Sequence, residues 1–180
     1  MEIAGNPEPK LVPRIASFFD ERGVFSRLIE SPIDFPTYQL NTSINLQKGI
    51  FRGLHLLKGK HSENKKITVL KGEIVDIVIN VDFQSNLYGT IYEYKLSQES
   101  DALWIPPLHA HGFITVSDIT FVAYQVDKPY VKHADSGVNI KNLKLNIAKV
   151  SEITRISDKD LLLPIFSRST NMGFSKCDFC

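Results

Sequence analysis

The hydrophobic and polar positions along the middle of the chain follow the pattern of short β-strands. Residues 66–81 (KITVLKGEIVDIVINV) are rich in Ile and Val and contain one Lys-Gly break, which predicts two strands joined by a tight turn. Apolar and polar residues alternate over 87–96, and a β-branched and aromatic run with a Ser-Asp break occupies 113–126. Both segments therefore also predict strands.

These strand segments follow one another without the intervening helices of a parallel sheet. We therefore predict an all-β sandwich or barrel rather than an α/β fold. Helical signal is weak and peripheral: the pattern allows one turn at 28–35, and Ser157 is expected to cap a short helix that ends before Pro164. No internal repeat or linker is visible, so we expect one domain over residues 1–166 and a tail at 167–180.

Composition and charge restrict the class of protein. The chain has 180 residues, of which 43% are hydrophobic and 23% charged, as in a single globular domain and unlike a disordered chain. Its 21 Lys and Arg against 20 Asp and Glu leave a net charge of +1, which argues against nucleic-acid binding across a basic face. Any bound anion must therefore be held by a few placed side chains.

The sequence also indicates a cytoplasmic protein without a membrane partner. No apolar stretch approaches the roughly 20 residues that cross a bilayer, and the candidate at 74–81 is interrupted by Asp76 and Asn80. The N-terminus carries no signal-peptide pattern. Cys177 and Cys180 are the only cysteines and lie close to the end of the chain, so we expect a frayed, reduced tail rather than a zinc pair or a redox dithiol.

Histidines are the first candidates for chemistry. His55 follows a strand-like segment, and regular alternation would put Arg52 on the opposite face, apart from any kink at Gly53. His109 and His111 share one face of a second segment. A barrel that contains both segments would bring His55 and His111 into one interior.

A metal site is one interpretation of these histidines. Metal-binding cupins place a second His two residues after the first, but Leu57 occupies that position after His55. The pair His109 and His111 leaves weak zinc binding open. We favour an acid–base or structural role, with no metal and no cofactor.

Four segments resemble one enzyme family. FRGLH at 51–55, GEIVDIVINVD at 72–82, LWIPPLHAHGF at 103–113 and SDKD at 157–160 are similar to signature segments of the dTDP-4-dehydrorhamnose 3,5-epimerase family, and the likeness extends over about 15–166. The resemblance implies a cupin-type jelly roll, a homodimer and metal-independent catalysis. The implied activity is epimerisation of C3, C5 or both in a dTDP-linked 4-keto-6-deoxy sugar, for rhamnose-type deoxysugar and cell-surface polysaccharide biosynthesis.

The resemblance also implies catalytic roles. Such an epimerase needs a base, a group that stabilises the enolate oxygen, and an acid on the opposite face of the sugar. The base would be His55, oriented by Asp160; the acid would be Tyr124; and Lys65 would face the enolate. Taken from this sequence alone, Tyr124 also fits a core aromatic position and Lys65 a solvated surface lysine.

Substrate contacts follow from the same resemblance. Arg52 and Arg22 are expected to bind the diphosphate, because a guanidinium forms paired hydrogen bonds with phosphate oxygens, and these two and Lys65 would converge on one pocket. The other expected substrate-binding residues are Phe25, Arg27, Gln39, Asn41, His111 and Tyr130. The remaining histidines, at 61, 109 and 133, are expected in loops or on the surface.

Three positions depart from the family pattern. Arg27 stands where the family has Glu, Glu63 stands where it usually has Gln, and Leu56 stands where it usually has an aromatic residue after the His. These changes alter the surface that recognises substrate. Three alternatives therefore stay open: a single-position epimerase or ketoisomerase, a cupin that binds a sugar nucleotide without turnover, and a metal-dependent cupin enzyme.

Overall fold

The computed structural model describes residues 7–14, 17–29, 35–146 and 152–169. β-Strands are the main regular secondary structure of these residues. One short α-helix, α1 (Asp158–Leu161), follows the strands. In chain order the strands are β1 Lys10–Val12, β2 Ser17–Asp20, β3 Gly23–Ser26, β4 Gln39–Asn45, β5 Phe51–Leu57, β6 Lys65–Lys71, β7 Glu73–Asn80, β8 Ile91–Ser97, β9 Ala102–Ile105, β10 His109–Thr115, β11 Thr120–Val126 and β12 Asp135–Gly137. Short 3₁₀ turns occur at Gly59–His61, Lys132–Ala134 and Ile140–Asn142.

Two five-stranded antiparallel sheets form the body of the protein. One sheet has the order β1-β9-β6-β11-β4 and the other β12-β5-β10-β7-β8, while β2 and β3 form a separate hairpin. Apolar side chains from both sheets meet between them, including Ile67, Leu103 and Val122 from the first and Ile74, Val78 and Phe113 from the second. This arrangement confirms the predicted all-β sandwich.

The second sheet buries both of its faces. Val75, Ile77 and Ile79 of β7 pack with β5, β10 and residues near the C-terminus, on the face away from the first sheet. Successive side chains of a strand point to opposite faces, and this explains why β7 is an almost continuous apolar run. Asp76 is the charged exception within it.

The predicted strand segments agree with the structure except at one end. Residues 66–81 form β6 and β7, and residues 113–126 fall in β10 and β11. The predicted strand at 87–96 was wrong over its first part, because β8 begins only at Ile91. The residues before it form turns closed by local hydrogen bonds, such as Thr90 N to Leu87 O at 2.9 Å.

The predicted short helix is present. Ser157 Oγ accepts a hydrogen bond from Asp160 N at 3.2 Å and so caps α1, which ends before Pro164. Most of the allowed turn at 28–35 lies outside the described residues, which leave out 30–34. Within the described ranges, no helix has the length and apolar character needed to span a membrane.

The first residues of the predicted tail contact the body of the protein. Tyr88 Oη donates to Ser167 O at 3.2 Å, and Arg168 Nη2 donates to Gly89 O at 3.2 Å. The rest of the tail from residue 170, with both cysteines, lies outside the described residues. A domain boundary at 166 stays a prediction.

Candidate active site

A cavity of about 770 Å³ opens between the two sheets. Its wall comes from β4, β5, β6, β10 and β11, from the start of β12, and from the capped end of α1 with the residues just before it. The side chains in it that could move a proton or stabilise charge include His55, Lys65, His111, Tyr124 and Asp160. The structure therefore brings all four predicted catalytic residues to one cavity.

Two side chains of β5 reach the cavity from positions that regular alternation would separate. Arg52 and His55 both line it, whereas Leu54 is fully buried in the core on the other face of the sheet. Regular alternation therefore does not hold between Arg52 and His55, and the exception allowed for a kink at Gly53 applies.

This kink is a β-bulge between β5 and β10. His111 pairs with residue 55 and Phe113 with residue 52, so two steps along β10 face three along β5. Gly53 has φ +125°, and a Cβ placed there would lie 2.6 Å from the Cα of Gly112. Only glycine fits where the two backbones approach this closely.

His55 is held by a buried carboxylate. Its Nε2 lies 2.7 Å from Oδ1 of Asp160, whose side chain is 6% exposed, and Asp160 Oδ2 accepts a hydrogen bond from Gly53 N at 3.1 Å. Desolvation lowers the pKa of His55, and the hydrogen bond to Asp160 opposes that shift. The imidazole is therefore neutral near pH 7, which is the form a general base needs.

Lys65 is a cavity residue and not a solvated surface lysine. Its side chain is 11% exposed. Its Nζ donates to His55 O at 3.2 Å and lies 3.5 Å from Glu63 Oε1. The ammonium group is thus placed beside the imidazole, in the wall of the cavity.

Tyr124 lies on β11, with its ring against the edge of the core and also in the cavity wall. Burial raises the pKa of its phenol, while the positive charge of Arg52 opposes the shift. The hydroxyl is therefore protonated near pH 7 and able to donate. Tyr124 is thus partly a core aromatic residue, as one prediction had it, and also a cavity residue, as its predicted role as the acid requires.

A second His–carboxylate pair lies beside the first. His111 pairs in register with His55, and its Nε2 is 2.8 Å from Oδ2 of Asp76, which is fully buried. Burial raises the pKa of Asp76, and His111 opposes that shift. Asp76 was not predicted as a site residue, although its position inside an apolar run indicated that its carboxylate is buried.

The mouth of the cavity carries a polar cluster. Tyr130, a predicted site residue, donates from Oη to Asp135 Oδ2 at 3.0 Å, and Lys159 Nζ donates to the same oxygen at 2.7 Å. Asp135 and Lys159 line the cavity but had no sequence signal that distinguished them from surface charges. At another part of the wall, Arg52 Nε donates to Asn45 Oδ1 at 2.7 Å.

The β2–β3 hairpin and the residue after it are placed away from this cavity. The Arg22 side chain is 83% exposed and pairs with Asp20 in the hairpin turn. Phe25 is 63% exposed, and neither it nor Arg27 lines the cavity of the described chain. The expected convergence of Arg22 with the other cations does not occur within one described chain.

Gln39 and Asn41 border the site without lining it. Gln39 Oε1 accepts a hydrogen bond from Tyr130 N at 2.9 Å, and Asn41 lies opposite Tyr124 in the β4–β11 register. Both belong to β4, the edge strand of its sheet. They support cavity residues and stay predicted substrate contacts.

The other histidines differ from one another. His61 and His133 lie in 3₁₀ turns with their rings 5.5 Å apart, as expected for loop residues. The loop or surface assignment of His109 was wrong: it begins β10 and is 2% exposed, because its side chain turns inward towards Tyr92. Within the described ranges, no three His, Cys, Asp or Glu residues are grouped to hold a metal ion.

Comparison with known proteins identifies the family. The model of the dTDP-4-dehydrorhamnose 3,5-epimerase family matches residues 10–168. The chain belongs to this family. It is 32% identical over 165 residues to the dTDP-4-dehydrorhamnose 3,5-epimerase of Sinorhizobium fredii, and the match covers 87% of this chain and 84% of that relative.

Solved structures of this epimerase family share the fold. The epimerase of Bacillus anthracis, solved with TDP and PPi bound, has a TM-score of 0.76 at 29% identity, over 88% of this chain and 99% of that chain. The epimerase of Sulfolobus tokodaii has a TM-score of 0.71 at 32% identity, over 83% and 85%. The likeness confirms the predicted cupin-type jelly-roll class.

Proposed function

We propose that this protein is a dTDP-4-dehydrorhamnose 3,5-epimerase, an isomerase that inverts C3 and C5 of a dTDP-linked 4-keto-6-deoxy sugar in deoxysugar biosynthesis. The observation that carries the proposal is the buried His55–Asp160 pair, 2.7 Å apart, facing Lys65 and Tyr124 in one cavity of a chain of this family. These groups supply what inversion next to a ketone requires.

In the proposed reaction His55 removes the proton from the carbon beside the ketone. The electrons of the C–H bond move to the carbonyl oxygen, and the Lys65 ammonium stabilises the enolate that forms. Tyr124 then donates its proton to the opposite face of the same carbon, where the enolate electrons form the new C–H bond and the ketone is restored. Solvent takes the proton from His55 and returns one to Tyr124. Asp160 keeps the imidazole in one orientation and tautomer, and a second cycle of this kind inverts the other carbon.

The diphosphate of the substrate is assigned to Arg52. Its guanidinium lies in the cavity wall, and a guanidinium binds phosphate oxygens through paired hydrogen bonds. The TDP and PPi bound to the Bacillus anthracis relative support this class of ligand. His111 and Tyr130, which also line the cavity, are proposed contacts of the sugar.

The function is tested by deuterium exchange in D₂O with a dTDP-4-keto-6-deoxy sugar. We expect deuterium at both C3 and C5, with inverted product detected by NMR. Exchange at one carbon alone would indicate a single-position epimerase. Tight binding of the nucleotide sugar with no exchange above a His55→Ala control would contradict the proposal and favour a binding protein.

Tyr124→Phe separates the acid from the base. We expect this variant to keep proton exchange in part, because removal of the proton by His55 does not need the phenol, while inverted product falls by about 10²-fold. The measurement compares deuterium wash-in with product NMR on the same sample. Equal loss of exchange and inversion would contradict the assignment of Tyr124 as the acid.

A homodimer is supported by an exposed apolar stripe on the edge strand β4 and its flanks. Its members, with their exposed fractions, are Tyr38 at 66%, Leu40 at 44%, Ile44 at 56% and Leu46 at 69%. Exposed apolar patches of this kind mark contact surfaces, and we propose that a second copy covers it. In such a dimer, Arg22, Phe25 and Arg27 could contact substrate bound in the cavity of the partner subunit.

We expect Ile44→Glu to convert the dimer to a monomer, because the charge would be buried at the contact. Sedimentation velocity of the wild type and the variant measures the change. Leu162→Glu is the matched control, since Leu162 is 84% exposed outside the stripe. A wild-type monomer, or equal effects of both variants, would contradict the proposed interface.

A further inference from the structure

Glu63 places a carboxylate inside the catalytic cavity. Its Oε1 is 3.5 Å from Lys65 Nζ, its side chain is only 10% exposed, and it lines the same wall as Tyr124. The reaction proposed above assigns it no role. The negative charge is therefore an unexplained feature beside the ammonium group that faces the enolate.

The contacts of Lys65 show how this charge could act. An ammonium group has three N–H donors. One is directed to the backbone oxygen of His55 at 3.2 Å, and Glu63 attracts a second from 3.5 Å. The backbone oxygen of His55 does not titrate, whereas the carboxylate of Glu63 can gain a proton. Only the contact with Glu63 therefore changes with pH.

We propose that Glu63 is a positioning residue that acts through Lys65 and sets how strongly the cavity stabilises the enolate. When ionised, Glu63 draws the ammonium group towards itself and offsets its positive charge. When protonated, it leaves the full charge of Lys65 to the enolate oxygen. This inference rests on the proposed function and adds a control of the same site.

The physical basis is electrostatic. The ionised carboxylate of Glu63 offsets the positive charge of the Lys65 ammonium group 3.5 Å away, and the offset is strong where little water screens the charges. The substrate ketone is neutral before the proton leaves, so the weakened stabilisation by Lys65 affects mainly the transition state. Glu63 should therefore alter kcat rather than KM.

Several titratable groups face Glu63. They are Lys65 on β6, Tyr124 on β11, and Asp127 and Lys128 directly after β11. Burial raises the pKa of Glu63 and Asp127 adds to the rise, while Lys65 and Lys128 oppose it. Protonation of Glu63 thus begins at a higher pH than for a solvated glutamate.

Two protonation events act in opposite directions as pH falls. Protonation of Glu63 restores the full positive charge of Lys65 to the enolate and favours catalysis, while protonation of His55 removes the base. The second effect is common to the wild type and to Glu63→Gln, which is neutral at every pH. The ratio of their kcat values therefore isolates Glu63: it should exceed one at high pH and approach one as pH falls.

The experiment measures kcat and KM across pH for the wild type, Glu63→Gln and Glu63→Asp with a dTDP-4-keto-6-deoxy sugar. At high pH we expect Glu63→Gln to raise kcat by about three- to tenfold, with KM changed by less than about twofold. Glu63→Asp keeps the charge and should retain the pH dependence of the wild type. In a Lys65→Met background the gain from Glu63→Gln should disappear.

Two results would overturn the proposal. One is a kcat ratio of one or less, or a ratio independent of pH, in a Glu63→Gln protein that melts like the wild type. The other is an equal gain in the Lys65→Met background. In both cases the wild type would still exchange deuterium above the His55→Ala control, so the proposed function would stand. Absence of that exchange would instead overturn the proposed function and this inference together.

Discussion

Replacing His55 with alanine is expected to lower kcat by about 10³-fold, since a positioned general base contributes about 10² to 10⁴. His55 is the imidazole that Asp160 holds: Nε2 of His55 lies 2.7 Å from Oδ1 of Asp160, whose side chain is 6% exposed. Binding of dTDP should change little, because the diphosphate is assigned to Arg52. Deuterium wash-in and product NMR measure the loss.

His133→Ala is the matched control. His133 is exposed in a 3₁₀ turn outside the cavity wall, so its removal should leave kcat within about twofold of the wild type, as for surface substitutions in general. Residual exchange in His55→Ala close to the wild-type rate would contradict the assignment of the base. Equal losses in both variants would indicate an effect of histidine removal on folding.

The pH dependence of the wild type should report the same base. His55 is needed in its neutral form, and desolvation lowers its pKa. Activity should therefore persist below the pH at which a solvated histidine gains its proton, and should fall as pH drops through the pKa of His55. Asp160→Asn removes a carboxylate that opposes this shift, so the acid limb should move to lower pH while kcat also falls.

Replacing Gly53 with alanine is expected to give the largest loss of stability. Gly53 has φ +125°, and a Cβ there would lie 2.6 Å from Gly112 Cα and 2.8 Å from His111 O. Both are backbone atoms of the central strand β10, which cannot yield as a flexible side chain could. We expect the free energy of unfolding to fall by about 3 kcal/mol or more, from backbone strain and overpacking together.

Gly23→Ala provides a control for the strain alone. Gly23 has φ +129°, nearly the same backbone conformation, but a Cβ there would meet nothing within 4 Å. The expected loss is about 1 kcal/mol. Urea unfolding of both variants measures the difference, and equal losses would show that contact with β10 contributes nothing. Gly53→Ala should also lose activity, because the bulge places both Arg52 and His55 in the cavity.

Much of the fold could be predicted from local patterns. Runs of β-branched residues broken by glycine located β6 and β7, and Ser157 located the start of α1. Both depend on interactions between residues close in the chain. The prediction of a strand at 87–96 was wrong for its first residues, because they form turns closed by local hydrogen bonds although their apolar and polar residues alternate. His109 was misplaced because alternation does not reveal which face of a strand is covered.

Candidate site residues could be predicted only where the spacing of motifs in the sequence matches that of the epimerase family. His55, Lys65, Tyr124 and Asp160 were named from family spacing, and the structure places them in one cavity. Asp76 and Glu63 were not predicted as site residues: the apolar run around Asp76 indicated burial but not a place in the cavity, and Glu63 has no local signal of burial. Arg22 was predicted from the same family resemblance to bind the diphosphate, but its side chain is exposed in this chain.

The sequence by itself determined the fold class, the family and the candidates for proton transfer, because strand periodicity and motif spacing are local properties of the chain. Only the tertiary structure decided that Arg52 and His55 share a face, since this depends on a bulge formed against β10. It also decided that Glu63 lies 3.5 Å from Lys65 inside the cavity. Burial and charge pairing arise from contacts between distant segments, and no local pattern specifies them.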